Sequence, residues 1–232
     1  MTKLVFLGTK GEIEESTETH RYHASFLLVS DETKLLIDHG DLQKYTLDEI
    51  RPSAVLITHA HPDHYAWLKK EVRTEAPVYL TQHTLGYGKF RPANPWVIEP
   101  GEPFQIGPFQ CQAYAVIHSI RCPAVGYRIQ TSDKTLVYNP DLVDIVDKEK
   151  ILQGVQYYVG DGSAIRANLV RRRGDQLFGH TRITTQINWC NKYGISNIVF
   201  THLGKETIEK EEEFKKEHPE VVLAYDGMEL AI

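Results

Sequence analysis

Six consecutive residues, His59-Ala60-His61-Pro62-Asp63-His64, hold three imidazoles and a carboxylate directly after the apolar run Val55 to Thr58. Neutral imidazoles and carboxylates at this density are donors for a divalent metal rather than packing groups. Side chains of an extended segment alternate, so His59 and His61 share one side, and a turn can bring Asp63 and His64 round to a second point close by. The spacing therefore predicts two metal positions. Imidazole-rich donors place zinc first, with manganese and iron as alternatives. The plain alternative is a solvated, histidine-rich turn.

The elements around this cluster explain how its side chains would be aimed. Val55 to Thr58 is β-branched and apolar and reads as a buried strand, while a helical pattern begins at Tyr65 to Lys70. The cluster thus sits on a strand-to-helix turn. The same device recurs along the chain. His118 follows the strand Cys111 to Ile117, Asp141 follows Thr135 to Tyr138, Asp161 follows Val155 to Val159, and His202 follows Asn197 to Phe200. Histidine and aspartate gathered at strand ends predict one edge of a layered sheet where loops build a site.

The remaining pattern is alternating strands and helices in two similar halves. Lys3 to Leu7, Ala24 to Val29 and Lys34 to Asp38 form a meander, with Asp38 and His39 at its end as supporting residues at most. The loop Gly8 to His23 carries His20, Arg21 and His23 and is of the kind that borders sites; the two histidines read as ordinary hydrogen-bonded surface residues, with a catalytic role as the alternative. Gly160 to Gly179 has little regular pattern and holds Arg166, Arg171, Arg172 and Arg173, either a basic lid over an anionic substrate or a solvated charge run. Thr181 to Tyr193 reads as an amphipathic helix stopped by Gly194. His180 then lies at its N-terminal end, suited to a phosphate, or simply to capping the helix. Glu206 to His218 reads as a charged surface helix, and Val221 to Ala224 with Met228 to Ala231 as a closing hairpin.

Bulk properties narrow the function classes. The chain has 232 residues, 41% hydrophobic and 25% charged, and no apolar run of membrane-spanning length. The N-terminus enters a strand at once, which predicts a cytoplasmic protein. Three separated cysteines, Cys111, Cys122 and Cys190, predict neither disulfides nor a thiolate metal site. A formal charge of −5 disfavours broad nucleic-acid binding. The expectation is one domain over residues 1–232.

The full set of motifs resembles the metallo-β-lactamase superfamily of hydrolases, whose His-x-His-x-Asp-His signature runs from His59 to His64. The resemblance spans nearly the whole chain and implies a four-layer αββα sandwich of α/β class with metals at one edge. It implies His59, His61 and His118 on one ion, Asp63, His64 and His202 on the other, and Asp141 bridging, with a shared hydroxide as nucleophile. Aspartate rather than cysteine at position 141 separates the chain from thiolate-using lactamases, and His61 separates it from the redox di-iron branch, which tends to carry glutamate there. Gly179-His180-Thr181 is similar to the phosphodiesterase side of the family, ribonuclease Z included, where this histidine contacts phosphate or assists the leaving group beside an acidic partner. Asp161 takes that partner's place, so Asp63, His180 and Asp161 form the catalytic set. Ribonuclease Z inserts a tRNA-binding arm between the motifs at His118 and Asp141. Here a plain hairpin fills that interval.

The expected activity is cleavage of a phosphodiester in a small anionic molecule or a short nucleic-acid end, with no membrane partner; the resemblance also allows a homodimer. Two alternatives remain open. One is a carbonyl hydrolase, a lactonase or thioesterase, on the same dinuclear site with Tyr127, Tyr138 or a loop residue stabilising the oxyanion and His180 mattering less. The other is a non-catalytic metal-binding or sensing module.

Overall fold

The computed structural model describes residues 2–232. Its first sheet contains β1 (Thr2–Gly8), β2 (Ser25–Ser30), β3 (Thr33–Ile37), β4 (Ala54–Leu56), β5 (Val78–Leu80) and β6 (Pro95–Val97). The second contains β7 (Pro103–Ile106), β8 (Phe109–Ile117), β9 (Ala124–Gln130), β10 (Thr135–Tyr138), β11 (Asp144–Ile145), β12 (Tyr157–Asp161), β15 (Asn197–Thr201) and β16 (Val221–Leu223). A small hairpin, β13 (Arg171–Arg173) and β14 (Gln176–Phe178), stands apart, and β17 (Glu229–Ala231) returns to the first sheet beside β1.

Residue alternation sorts these strands into layers. Phe26 and Leu28, Leu35 and Ile37, and Leu56 face inward and meet Phe109, Cys111, Ile129, Leu136 and Val159 between the sheets. Leu27, Leu36 and Val55 face the other way, under Leu47 and Ile50 of α1 (Leu47–Ile50) and Leu85 of α2 (Gln82–Tyr87). On the far side of the second sheet, Val137, Tyr158, Ile198 and Phe200 carry α3 (Lys148–Leu152), α4 (Ile183–Tyr193) and α6 (Glu211–Glu217), with α5 (Lys205–Glu209) preceding the last. This is the four-layer αββα arrangement.

Strand direction decides where the chemistry can gather. β3, β4, β5 and β6 pair in parallel, as do β10, β12, β15 and β16. β8 is antiparallel to β9, which is antiparallel to β10, so β8 runs in the same sense as β10. The segments bearing His118, Asp141, Asp161 and His202 therefore all leave one edge of the second sheet. Thr58 O accepts from Val125 N–H at 3.0 Å and Ile57 O accepts from Tyr127 OH at 2.7 Å, fixing the strand before His59 to the second sheet.

Several local expectations change. The helix expected from Tyr65 is one 3₁₀ turn, Ala66–Leu68, and the Glu206–His218 helix is broken at Lys210 into α5 and α6. The closing strands are not a hairpin: β16 pairs with β15 in the second sheet and β17 with β1 in the first. Local alternation looks alike in both cases, and only the sheet that needs another edge strand decides. The 160–179 segment is not structureless, because Gly174, at φ 59°, closes the β13–β14 hairpin.

His20 and His23 are buried, at 0% and 7% exposure, rather than on the surface. His20 Nδ1 lies 2.8 Å from Thr9 Oγ1, and its Nε2 lies 3.1 Å from Glu211 Oε2, pinning the loop after β1 to α6. The His20 contact holds the Glu211 carboxyl down at about 2 against its ordinary 4.5; burial opposes this and Lys215 assists. A carboxyl depressed on folding contributes stability above pH 4.5, and that contribution is lost as pH falls towards 2. In acid unfolding followed by circular dichroism, Glu211→Gln should therefore flatten the pH dependence of stability over this window. The loss at neutral pH is on the order of 1 kcal/mol after solvent screening. An unchanged acid limb would contradict the assignment.

Candidate metal centre

The motif turn is held by backbone bonds rather than by a helix. His64 and Tyr65 N–H donate to His61 O, while His39 N–H donates to His64 O. The turn aims two groups of donors at adjacent points. In the first, His59 Nε2 lies 2.9 Å from His61 Nδ1, which lies 3.2 Å from His118 Nε2. In the second, Asp63 Oδ2 lies 3.2 Å from His64 Nε2 and 3.0 Å from His202 Nε2. Asp141 lies between them, with Oδ2 2.7 Å from His64 Nε2 and 3.5 Å from His59 Nε2.

Hydrogen bonds on the outer ring nitrogens set the tautomers. His64 Nδ1 donates to Asp38 Oδ2 at 2.8 Å, and His118 Nδ1 donates to Gly179 O at 3.1 Å. Thr58 Oγ1 donates to Asp38, at 2.9 and 3.0 Å from its two oxygens, and accepts from His59 Nδ1 at 3.0 Å. Each of these rings then turns a lone pair on Nε2 inward, as metal ligation requires. Asp38, read from the sequence only as a supporting residue, is the hub of this outer layer. Thr58 was not singled out at all. Its place before His59, on a strand end facing Asp38, is the signal that marks it.

His202 has φ 54°, a left-handed conformation that is costly for a side chain with a Cβ. Its neighbours hold it there: Leu203 N–H donates to Thr9 O, and Gly204 N–H donates to Gly162 O. Gly204 lies so close to the Ser163 backbone that a Cβ there would collide with it.

The charges of the site call for cations. Asp38, Asp63, Asp141 and Asp161 are buried, at most 3% exposed, and among the described residues their ion-pair partners are all histidines. Burial works against charging the imidazoles. It keeps His59 well below the ordinary histidine range and His118 near about 4. His64 and His202 go the other way, His202 to about 9, because the carboxylates beside them outweigh burial. Protons there take the place of metal charge. His64 Nε2 is crowded by Asp141 Oδ2 at 2.7 Å and Asp63 Oδ2 at 3.2 Å, and Asp141 Oδ1 by His202 Nδ1 at 3.1 Å and His180 Nδ1 at 3.2 Å, buried donors converging as ligand atoms do. The mixed nitrogen and oxygen donors fit divalent zinc, manganese or iron.

These donors open onto a cavity of about 610 Å³. His180 stands at its wall. Its Nδ1 is 2.8 Å from Asp161 Oδ2 and 3.2 Å from Asp141 Oδ1, and its side chain is 24% exposed. Asp161 is itself fixed, accepting from Leu142 N–H at 3.0 Å and Ser163 N–H at 2.9 Å. His180 does not sit at the helix start expected for it. α4 begins at Ile183, and His180 follows Gly179, whose φ of 104° turns the chain. Carboxylates rather than a helix end position this imidazole. Ser163, unforeseen, places its Oγ 3.1 Å from both His180 Nδ1 and His202 Nδ1. None of Arg166, Arg171, Arg172 and Arg173 lines the cavity, and Arg166 instead pairs with Glu217 at 2.6 Å. The hairpin arginines are exposed, as in a solvated charge run, while Ala167 and Leu169 of the same segment line the cavity.

Comparisons with known proteins agree with this architecture. Residues 19–159 match the family described as the beta-lactamase superfamily domain. A ribonuclease Z from Methanopyrus kandleri is 25% identical over 274 aligned positions, covering 96% of this chain and 95% of that protein. Among solved structures, a diphosphatase from the PhnP family superposes with TM-score 0.76 at 18% identity, over 100% of this chain and 98% of the other. The metallo-β-lactamase fold protein YhfI from Bacillus subtilis gives TM-score 0.74 at 19% identity, over 99% and 98%. With the matched region spanning more than half its length and the ribonuclease Z likeness running end to end, the chain belongs to the beta-lactamase superfamily, as a metal-dependent hydrolase of the metallo-β-lactamase fold.

Proposed function

We propose that this hydrolase cleaves a phosphodiester in a small molecule, using two divalent ions, zinc first, held by His59, His61 and His118 on one side and Asp63, His64 and His202 on the other, with Asp141 shared. When bound, such ions supply Lewis-acid polarisation of the phosphoryl group and an acidified water. The chain's own part is to aim, exclude and protonate. Asp38 and Thr58 hold the rings of His64 and His59, and the buried floor keeps bulk water from the donors.

The observation that carries the phosphodiesterase reading is His180. Burial alone would strip its proton, but Asp161 and Asp141 overcome burial and raise it to about 11; with Asp141 given to the ions, the 2.8 Å contact with Asp161 is what favours the imidazolium in the reaction. Asp161 occupies Nδ1, which leaves the Nε2 proton for a leaving alkoxide or phenoxide. A carbonyl hydrolase on the same ions has no use for an imidazolium beside the leaving group, and of the oxyanion donors open to it the two tyrosines lie elsewhere. Tyr127 donates to Ile57 O, and both Tyr127 and Tyr138 are packed at 0% exposure between the sheets. A relative matched over 96% of this chain is a ribonuclease Z. Between His118 and Asp141, however, this chain has only the β9–β10 hairpin, and its tight 131–134 turn leaves no arm for a tRNA. The ribonuclease Z and phosphodiesterase resemblance thus supports the bond cleaved, and the short hairpin favours a small substrate.

The zinc- and manganese-loaded protein should turn over bis(p-nitrophenyl) phosphate with kcat/KM well above that for acyl lactones or thioesters. A preference for the carbonyl esters would overturn the reading in favour of a lactonase or thioesterase. Absence of turnover on either class would favour a binding module.

A further inference from the structure

Three imidazoles that turn Nε2 towards the metal points are fixed from behind at Nδ1: His59 by Thr58, His64 by Asp38 and His118 by Gly179 O. The fourth, His202, has three oxygens near its Nδ1. Asp161 Oδ1 stands off at 3.8 Å. Asp141 Oδ1, at 3.1 Å, is given to the ions in the reading above. Ser163 Oγ, hydrogen-bonded at 3.1 Å, is the partner that remains. Its place is set by the backbone around it. Ser163 N–H donates to Asp161 Oδ1 at 2.9 Å, Gly204 N–H and Thr207 Oγ1 donate to Gly162 O at 3.2 and 2.6 Å, and the bare Cα of Gly204 lets the Ser163 backbone come close. The residue is buried, at 7% exposure.

We infer that Ser163 is a positioning residue for the ion at Asp63, His64 and His202: its hydroxyl accepts from His202 Nδ1–H and so keeps the tautomer whose Nε2 lone pair faces that ion. This rests on the two-ion reading above and adds the residue that completes the layer behind the ligands. The direction of the bond follows from the two faces of the ring. His202 Nε2 lies 3.0 Å from Asp63 Oδ2, among the donors of that ion, and a ligating nitrogen carries no proton. The proton of a neutral ring is then on Nδ1, and the serine must accept. The same oxygen lies 3.1 Å from His180 Nδ1, which already donates to Asp161 Oδ2 at 2.8 Å. A hydroxyl oxygen has two lone pairs and can accept from both rings. Alanine removes the acceptor, and the loss falls on one ion, because Ser163 hydrogen-bonds none of His59, His61 and His118, the ligands of the other.

Stepwise zinc affinities of the stripped full chain, measured by competition with a chromophoric chelator, test this in wild type, Ser163→Ala, Asp63→Asn and the double variant. Ser163→Ala should lose roughly 10–100-fold in one of the two zinc affinities, the usual effect of removing a partner behind a ligand, and keep the other. Asp63→Asn strips a ligand from the same ion, and the affinity of the other ion should then be the same with and without Ser163→Ala. A merely structural role would weaken that other site as well. Unchanged affinities in Ser163→Ala, equal losses in both, or a further loss at the other site in the double variant would overturn this inference alone. No second zinc on the wild type would overturn the two-ion reading and the inference with it.

Discussion

Replacing His180 with alanine is expected to lower kcat for phosphodiester hydrolysis by roughly 10²–10⁴-fold, the usual contribution of a positioned general acid, with metal content unchanged. The side chain is 24% exposed at the cavity wall, so its removal leaves no buried void. Asp161 keeps its bonds from Leu142 and Ser163 N–H and is not stranded. A structural role for His180 would slow every substrate alike. A proton donor makes a sharper demand, because the loss must be larger for an alkoxide leaving group, which needs the proton, than for p-nitrophenolate, which departs without it. Comparing kcat for alkyl and aryl phosphodiesters in wild type and His180→Ala reads this directly. Equal losses on both would remove His180 from the acid role. Asp161→Asn should move the same ratio in the same direction, since the neutral amide no longer sustains the imidazolium.

A still larger effect is expected at Asp141. Its Oδ2 is 2.7 Å from His64 Nε2 and 3.5 Å from His59 Nε2, and its Oδ1 is 3.1 Å from His202 Nδ1, so one carboxylate touches both groups of donors. Asparagine keeps the shape and removes the charge and one ligand oxygen. Asp141→Asn should bind metal more weakly by at least about 100-fold, the upper range for loss of an outer-layer partner, and turnover should fall to background. The metal-free variant should remain folded, because one of four crowded carboxylates is gone. Metal analysis after dialysis, with circular dichroism as the folding control, measures both. Retention of two tightly bound ions would contradict the bridging role.

The features of the site legible in the sequence are those that local chemistry determines. His59 to His64 announces a metal site because nothing else explains imidazoles at that density, and strand-end His118, Asp141, Asp161 and His202 could be placed because apolar runs stop just before them. The structure does bring all of these together. What was not legible depends on partners distant in sequence. Asp38 meets His64 26 positions away, and Ser163 meets His202 39 away. No local pattern distinguishes such residues from ordinary strand-end polar groups. The burial of His20 likewise depends on Glu211, 191 residues later. Some misses had a signal. Thr46-Leu47-Asp48-Glu49 is a capping box that announces α1. The β16 and β17 segments had none, since the same alternation serves a hairpin or two separate sheet edges.

Bound metal is the proposed source of activity, and a stripped protein titrated back with zinc or manganese tests that most directly. Bound metal and bis(p-nitrophenyl) phosphate turnover should be followed in one titration after chelator treatment and dialysis. Two equivalents are predicted to bind, with turnover absent from the stripped protein and restored as the pair of sites fills. Full turnover by metal-free protein, or no binding beyond trace with the fold intact, would contradict it.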